Sequence, residues 1–193
     1  GQWNGFTLSL YVKLFRSTEI MKAVGNTLII ALVSSAIATV LGTLGAIGVY
    51  ESKKHAKRTM EFANQIPVVT PEIVIALSLT VMFVFFREHL VPNFQFSFWT
   101  LLAGHLVLST PFVYLNVKPK LEQMVPALYE AALDLGCTPT KALLHTTLPE
   151  IAPGVVSGFL IAITLSLDDF IVTAFTAGPG LLSGVSKIST IST

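Results

Sequence analysis

Residues 24–50 read VGNTLIIALVSSAIATVLGTLGAIGVY, a run of 27 residues without one charged side chain. Wound as an α-helix at 1.5 Å per residue, it covers about 40 Å, more than a hydrocarbon core of roughly 30 Å requires, with length left for tilt. Three further apolar stretches follow. Residues 66–86 are interrupted early by Pro67, Pro71 and Glu72, residues 96–117 contain His105 and Pro111, and residues 151–176 contain Asp168 and Asp169. These runs are too long for the ~10-residue alternating strands of a membrane barrel, and in lipid the backbone must satisfy its own hydrogen bonds. The expected fold is therefore an all-α, multi-pass helical bundle, a single membrane domain over residues 1–193 with four visible spans.

Composition agrees. Of the 193 residues 52% are hydrophobic and 12% charged, against about 25% charged in an ordinary soluble domain. Mean hydropathy is +0.72. A net charge of +1 supplies no field that would draw nucleic acid. Cys137 stands alone, which excludes an internal disulfide, and four scattered His offer no zinc spacing. The first 22 residues are mixed, and no cleaved leader is expected there.

The links between spans set the topology. Lys53, Lys54, Lys57 and Arg58 crowd the link after the first span, at residues 51–65, and mark it as cytoplasmic. The next link, residues 87–95, then faces outside. The long third link, residues 118–150 with Lys118, Lys120 and Lys141, returns inside. Basic totals on the two sides differ little; the tight cluster decides. Within the first span Ser34, Ala38, Gly42 and Ala46 recur every four residues, and Gly45 and Gly48 widen the small-residue region. Such a stripe lets a second helix approach closely, without naming which. Phe83, Phe85, Phe86, Phe94, Phe96, Phe98 and Trp99 read as an outer aromatic belt.

The inner link carries the most information. Residues 126–135 read as a short helix with Glu130 and Asp134 four apart. Gly136 suits the positive φ of a helix end, Thr138-Pro139 opens a second helix, and Leu148-Pro149 redirects the chain into the last span. A link of this length with its own structure is expected to have a task. The pattern Glu130-Ala131-Ala132, then Gly136, then Leu148-Pro149, resembles the loop of permease subunits of bacterial binding-protein-dependent ABC importers. Thr146 departs from it, standing where the family has Ile, and Leu144 and His145 replace residues that are often basic. The segments Trp3-Asn4-Gly5-Phe6-Thr7, Thr70-Pro71-Glu72-Ile73-Val74, Ser166-Leu167-Asp168-Asp169-Phe170 and Thr176-Ala177-Gly178-Pro179 are similar to those of the spermidine/putrescine branch, while residues 181–193 follow the family poorly.

That resemblance implies a bundle of the type I importer kind, normally with six spans, so that four point to a fragment or a truncated gene product. It implies an inner-membrane location, a second permease subunit, two copies of an ATPase subunit and an extracytoplasmic binding protein. It makes the elbow at Glu130, Ala131, Ala132, Gly136, Leu148 and Pro149 the coupling segment that docks on the ATPase. No catalytic residue, metal or cofactor is expected in this chain, since ATP-Mg belongs to the partner.

Within the spans, Asp168 lies about 19 residues past Pro149, roughly 28 Å along a helix, toward the outer side. A carboxylate costs about 2.5–3.5 kcal/mol at the bilayer centre and so faces a cavity or a partner. Neighbours on a helix point about 100° apart, so only one of Asp168 and Asp169 is expected to line a pathway, as counter-charge to a polyammonium substrate, while the other bonds a helix. The alternative is that both sit at the interface or cap a helix break. Glu72 is either a further pathway carboxylate or a first-turn acid favoured by the helix dipole. His105 reads as a helix–helix hydrogen-bonding residue. Competing functions are an importer permease for ferric ion, thiamine or phosphonate, an ion-coupled secondary transporter, and an intramembrane aspartyl protease, for which adjacent aspartates are wrongly placed.

Overall fold

The computed structural model describes residues 17–89 and 97–176, and every secondary-structure element among them is helical. The readings at residues 3–7, 94, 96 and 177–193 lie outside the described residues. In chain order the helices are α1 (Thr18–Tyr50), α2 (Lys54–Val69), α3 (Glu72–His89), α4 (Phe98–Gln123), α5 (Pro126–Asp134), α6 (Pro139–Ala142), α7 (Leu148–Asp168) and α8 (Phe170–Thr176). A π-turn, Leu143–Thr147, joins α6 to α7. Helix α1, helix α4 and the continuous unit Pro139–Asp168 are each long and apolar enough to cross a membrane, and the bent pair α2–α3 makes a fourth if it is one span.

Helix α4 is the most buried of these spans and the axis of the bundle. Small residues let its neighbours reach it. Ser34, Ala38, Gly42 and Ala46 of α1 are all buried, and a Cβ on Gly42 would stand 2.7 Å from the Cβ of Val113 and 3.0 Å from the carbonyl oxygen of Thr110. The stripe's neighbour is therefore α4. Gly45 and Gly48 have open space beside them, are exposed, and do not belong to the seam. Helix α7 arrives from another side through Gly154 and Gly158, and the hydroxyl of Ser157 donates to Oδ1 of Asn116 at 3.1 Å. A Cβ on Gly154 would meet the carbonyl oxygen of Asn116 at 2.8 Å, a backbone atom with no rotamer to move. Gly154→Ala is expected to destabilise the bundle by about 1–3 kcal/mol. Gly45→Ala, into open space, should cost nothing, and thermal melting of the detergent-solubilised chain separates the two.

The link at residues 51–65 proves to be largely helix. Its basic cluster conceals an amphipathic turn pattern, and α2 carries Met60, Phe62, Ile66 and Val69 exposed, with no buried residue. Helices α2 and α3 meet at 106°. Pro71 causes the break: it disfavours the α conformation at Thr70, which sits extended at φ −83° and ψ 133°, and the Thr70 hydroxyl closes the end of α2 on the carbonyl of Ile66 at 2.6 Å. The span read as residues 66–86 is thus a bent element, not a straight one. Lys118 fastens α2 to α4 through Glu61 at 2.9 Å, with Glu122 at 3.7 Å on its own helix.

Two other boundaries move. Helix α4 continues six residues past 117 to Gln123, which puts Lys118 and Lys120 in its last turns rather than in a loop. Leu148-Pro149 does not redirect the chain. The π-turn widens the backbone just before it, Leu148 N–H bonding to the carbonyl of Leu143, and Pro149 enters without interrupting a helix that runs for 30 residues. Phe83 is buried against Ile75 and Leu79 and leaves the aromatic belt, whereas Phe85 and Trp99 are exposed as a belt requires.

Candidate functional site

The last span is not one helix. Helix α7 stops at Asp168, Asp169 takes φ −73° and ψ 84°, and α8 starts at Phe170. The Asp169 carboxylate holds this break open by accepting the backbone N–H of Val172 at 2.8 Å, the work of a helix N-cap. Adjacent positions therefore no longer point 100° apart. Asp168 and Asp169 both line one cavity of about 280 Å³, and the carboxylate of Glu72 lines it from the α2–α3 bend. Thr70, Ser109 and Phe112 complete the part that faces these acids. Two helix breaks thus open on each other, and each contributes carboxylate.

The three acids are not equivalent. Asp168 is exposed, while Asp169 is 8% exposed and its Oδ2 makes no hydrogen bond among the described residues. One carboxyl oxygen of Glu72, Oε1, is likewise buried without a hydrogen-bond partner. Asp169 caps the break and also lines the cavity. Glu72 is also both things at once, a first-turn acid of α3 and a wall of the cavity.

Behind Asp169 stands His105, 2% exposed, with Nδ1 3.5 Å from Oδ2 of Asp169. Its ring reaches Ser166 through Nδ1 at 3.2 Å and Thr173 through Nε2 at 3.3 Å, and Ser166 meets Ser34 at 3.0 Å. One imidazole thereby joins α1, α4, α7 and α8. That is the helix–helix role expected of it, but the partners Ser34, Ser166 and Thr173 were not legible, because they come from three separate segments. Thr100 anchors the far end of α8 by donating to the carbonyl of Thr176 at 2.9 Å.

At the other end of the bundle lies the elbow. Helix α5 has no buried residue, and Glu130 and Ala131 on it are exposed with Ala132 half-buried. Gly136 adopts φ +86°, as its place after a helix end requires, with N–H bonding to the carbonyl of Leu133 at 2.9 Å and open space around its Cα. Leu148 packs on the core of α4 and α1, while Pro149 is exposed. Thr146, at the position departing from the expected pattern, spends its hydroxyl on the carbonyl of Ala142 at 2.7 Å. No group of His, Cys, Asp and Glu suited to a metal occurs among the described residues.

Residues 38–192 match the profile of the binding-protein-dependent transport system inner membrane component. The chain belongs to this family. It is 33% identical to the putrescine transport system permease protein PotI of Escherichia coli K12 over 179 residues, covering 92% of this chain and 64% of that protein. It is 32% identical to the spermidine/putrescine transport system permease protein PotC of the same strain, covering 92% and 65%. A PotC homolog of Mycoplasma genitalium is 28% identical over 88% of this chain. The chain thus spans a little under two thirds of the first of these relatives. Family membership accounts for the apolar helices as those of an inner-membrane, multi-pass component, and the matched range contains the elbow at Glu130–Pro149.

Proposed function

We propose that this chain is a membrane-spanning permease subunit through which a polyamine of the spermidine/putrescine class enters the cell, driven by ATP hydrolysis on a separate ATPase subunit. The observation that carries the substrate class is the convergence of Glu72, Asp168 and Asp169 on one cavity. A chain of ammonium groups leaves water only where carboxylates replace its hydration, and three acids within a cavity bounded by apolar helix suit several positive charges better than one. The names of the similar permeases point the same way. The chain itself carries no catalytic function in this reading. Its partners are a second permease subunit, two ATPase copies that engage the elbow, and an extracytoplasmic binding protein, with ATP-Mg held by the ATPase.

Broken helices bearing carboxylates also occur in ion-coupled secondary transporters. The elbow favours the ATP-driven reading, since an ion-coupled carrier has no use for an exposed lever on its inner face. Uptake of labelled spermidine and putrescine by the assembled transporter in proteoliposomes tests the assignment. Uptake is expected only with ATP inside and binding protein outside. Ferric ion, thiamine or a phosphonate carried in preference to both amines would overturn the substrate class, and uptake driven by an ion gradient without ATP would overturn the mechanism.

A further inference from the structure

A second cavity, of about 340 Å³, lies beneath the elbow. Its apolar floor comes from Leu121 and Met124 at the end of α4 and from Leu143 of the π-turn, and its rim carries Glu51 from the end of α1 with Tyr129 and Glu130 of α5. Neither Glu51 nor Glu130 is in an ion pair among the described residues. The wall includes Thr147, 4% exposed, whose hydroxyl makes no hydrogen bond among the described residues although that of neighbouring Thr146 is bonded. Both residues lie in the π-turn, and such turns gather at functional sites. Tyr50, also on the rim, already holds the Lys57 ammonium 5.3 Å from its ring centroid, so a cation over an aromatic face is a contact this region makes.

We propose that this inner cavity is a binding site for a primary alkylammonium group, separate from the carboxylate cavity across the bundle. The carbon chain lies on Leu121, Met124 and Leu143. The ammonium sits between Glu51 and the ring of Tyr129, with the Thr147 hydroxyl as the buried polar contact. Because α5 forms one side of the cavity and the ends of α1 and α4 the other, an occupant ties the elbow to the spans. The same chemistry is offered by a free amine inside the cell and by the ethanolamine headgroup of a lipid. The site stands whether or not the transported solute is a polyamine.

The full chain, with a fluorophore on its single cysteine Cys137 beside the elbow, is placed in phosphatidylcholine nanodiscs and titrated with n-pentylamine. A saturable signal change is expected, with none from 1-pentanol, which has the same carbon chain and no charge. Glu51→Gln, at the rim, should weaken the response about tenfold, the loss expected for one charge-assisted contact. Leu133→Trp, which fills the cavity, should abolish it. In nanodiscs containing phosphatidylethanolamine, a signal already shifted and insensitive to added amine identifies the lipid headgroup as the occupant, provided Glu51→Gln reverses the shift; an unchanged titration identifies the free amine. An equal response to 1-pentanol, a response untouched by Glu51→Gln, or no saturable response in phosphatidylcholine would overturn the proposal.

Discussion

Asp169→Asn is expected to leave the chain inserted and folded while cutting polyamine uptake about ten- to a hundredfold. The separation of effects comes from the two oxygens of one carboxylate. Oδ1 accepts the Val172 N–H at 2.8 Å and so caps α8, and asparagine caps as well as aspartate does. Oδ2 is buried without a hydrogen bond, 3.5 Å from Nδ1 of His105, and because the residue lines the cavity with Glu72 and Asp168, its charge is what the asparagine removes. Losing one charge-assisted contact to an ammonium costs about 1.5–3 kcal/mol, and each 1.4 kcal/mol is a factor of ten. Asp169→Ala removes both functions: the Val172 N–H is left buried without an acceptor, and the loss of the cap adds about 1 kcal/mol of instability. Alanine should therefore lower the amount of chain in the membrane, where asparagine does not. Labelled spermidine uptake normalised to inserted chain is the measurement. Full uptake by the asparagine variant would remove Asp169 from the pathway and leave it only the cap.

The sequence made the spans and the elbow legible because both depend on local rules. A charge-free run of residues 24–50 needs no partner to be read as a membrane helix, and Gly136 after the 126–135 segment needs none to be read as a left-handed helix end. What escaped depends on contacts between segments. The amphipathic α2 read as a basic link, since Lys53, Lys54, Lys57 and Arg58 speak for topology and say nothing of helicity. Pro67 and Pro71 announced an interruption, but a 106° bend is a property of how α2 and α3 pack, with Lys118 of α4 holding Glu61. The break at Asp169 has no proline or glycine to mark it; a residue that caps in one context continues a helix in another. Gly42 and Gly45 differ only in which faces α4, and that is decided by Val113, about seventy residues away in the chain. For the same reason the three acids could be named singly, whereas their convergence required both breaks.

The elbow leads into the helix that ends at the carboxylate cavity, and under the proposed function this makes Glu130 the second position of large expected effect. Helix α5 fully buries none of its residues, and Leu128 and Leu135 are left exposed at 52% and 86%. Gly136 then turns the chain into a helical unit that runs unbroken from Pro139 to Asp168. Thirty residues at 1.5 Å each make about 45 Å of helix, so under the proposed function a push at the elbow reaches Asp168, the end of the same element, as a tilt. Glu130 is exposed, free of any ion pair among the described residues, and at the head of that lever. Under the proposed function Glu130→Ala removes a contact to a basic group on the ATPase, and an exposed side chain can be truncated without disturbing the bundle. Uptake should fall about tenfold or more, from a lost charged contact of about 1.5–3 kcal/mol, while ATP hydrolysis by the assembled transporter continues and the chain's melting temperature is unchanged. Uptake kept in step with hydrolysis by this variant would deny the elbow its role. So would labelling of Cys137 by a membrane-impermeant thiol reagent applied outside intact cells, because an ATPase cannot push on a surface that faces away from it.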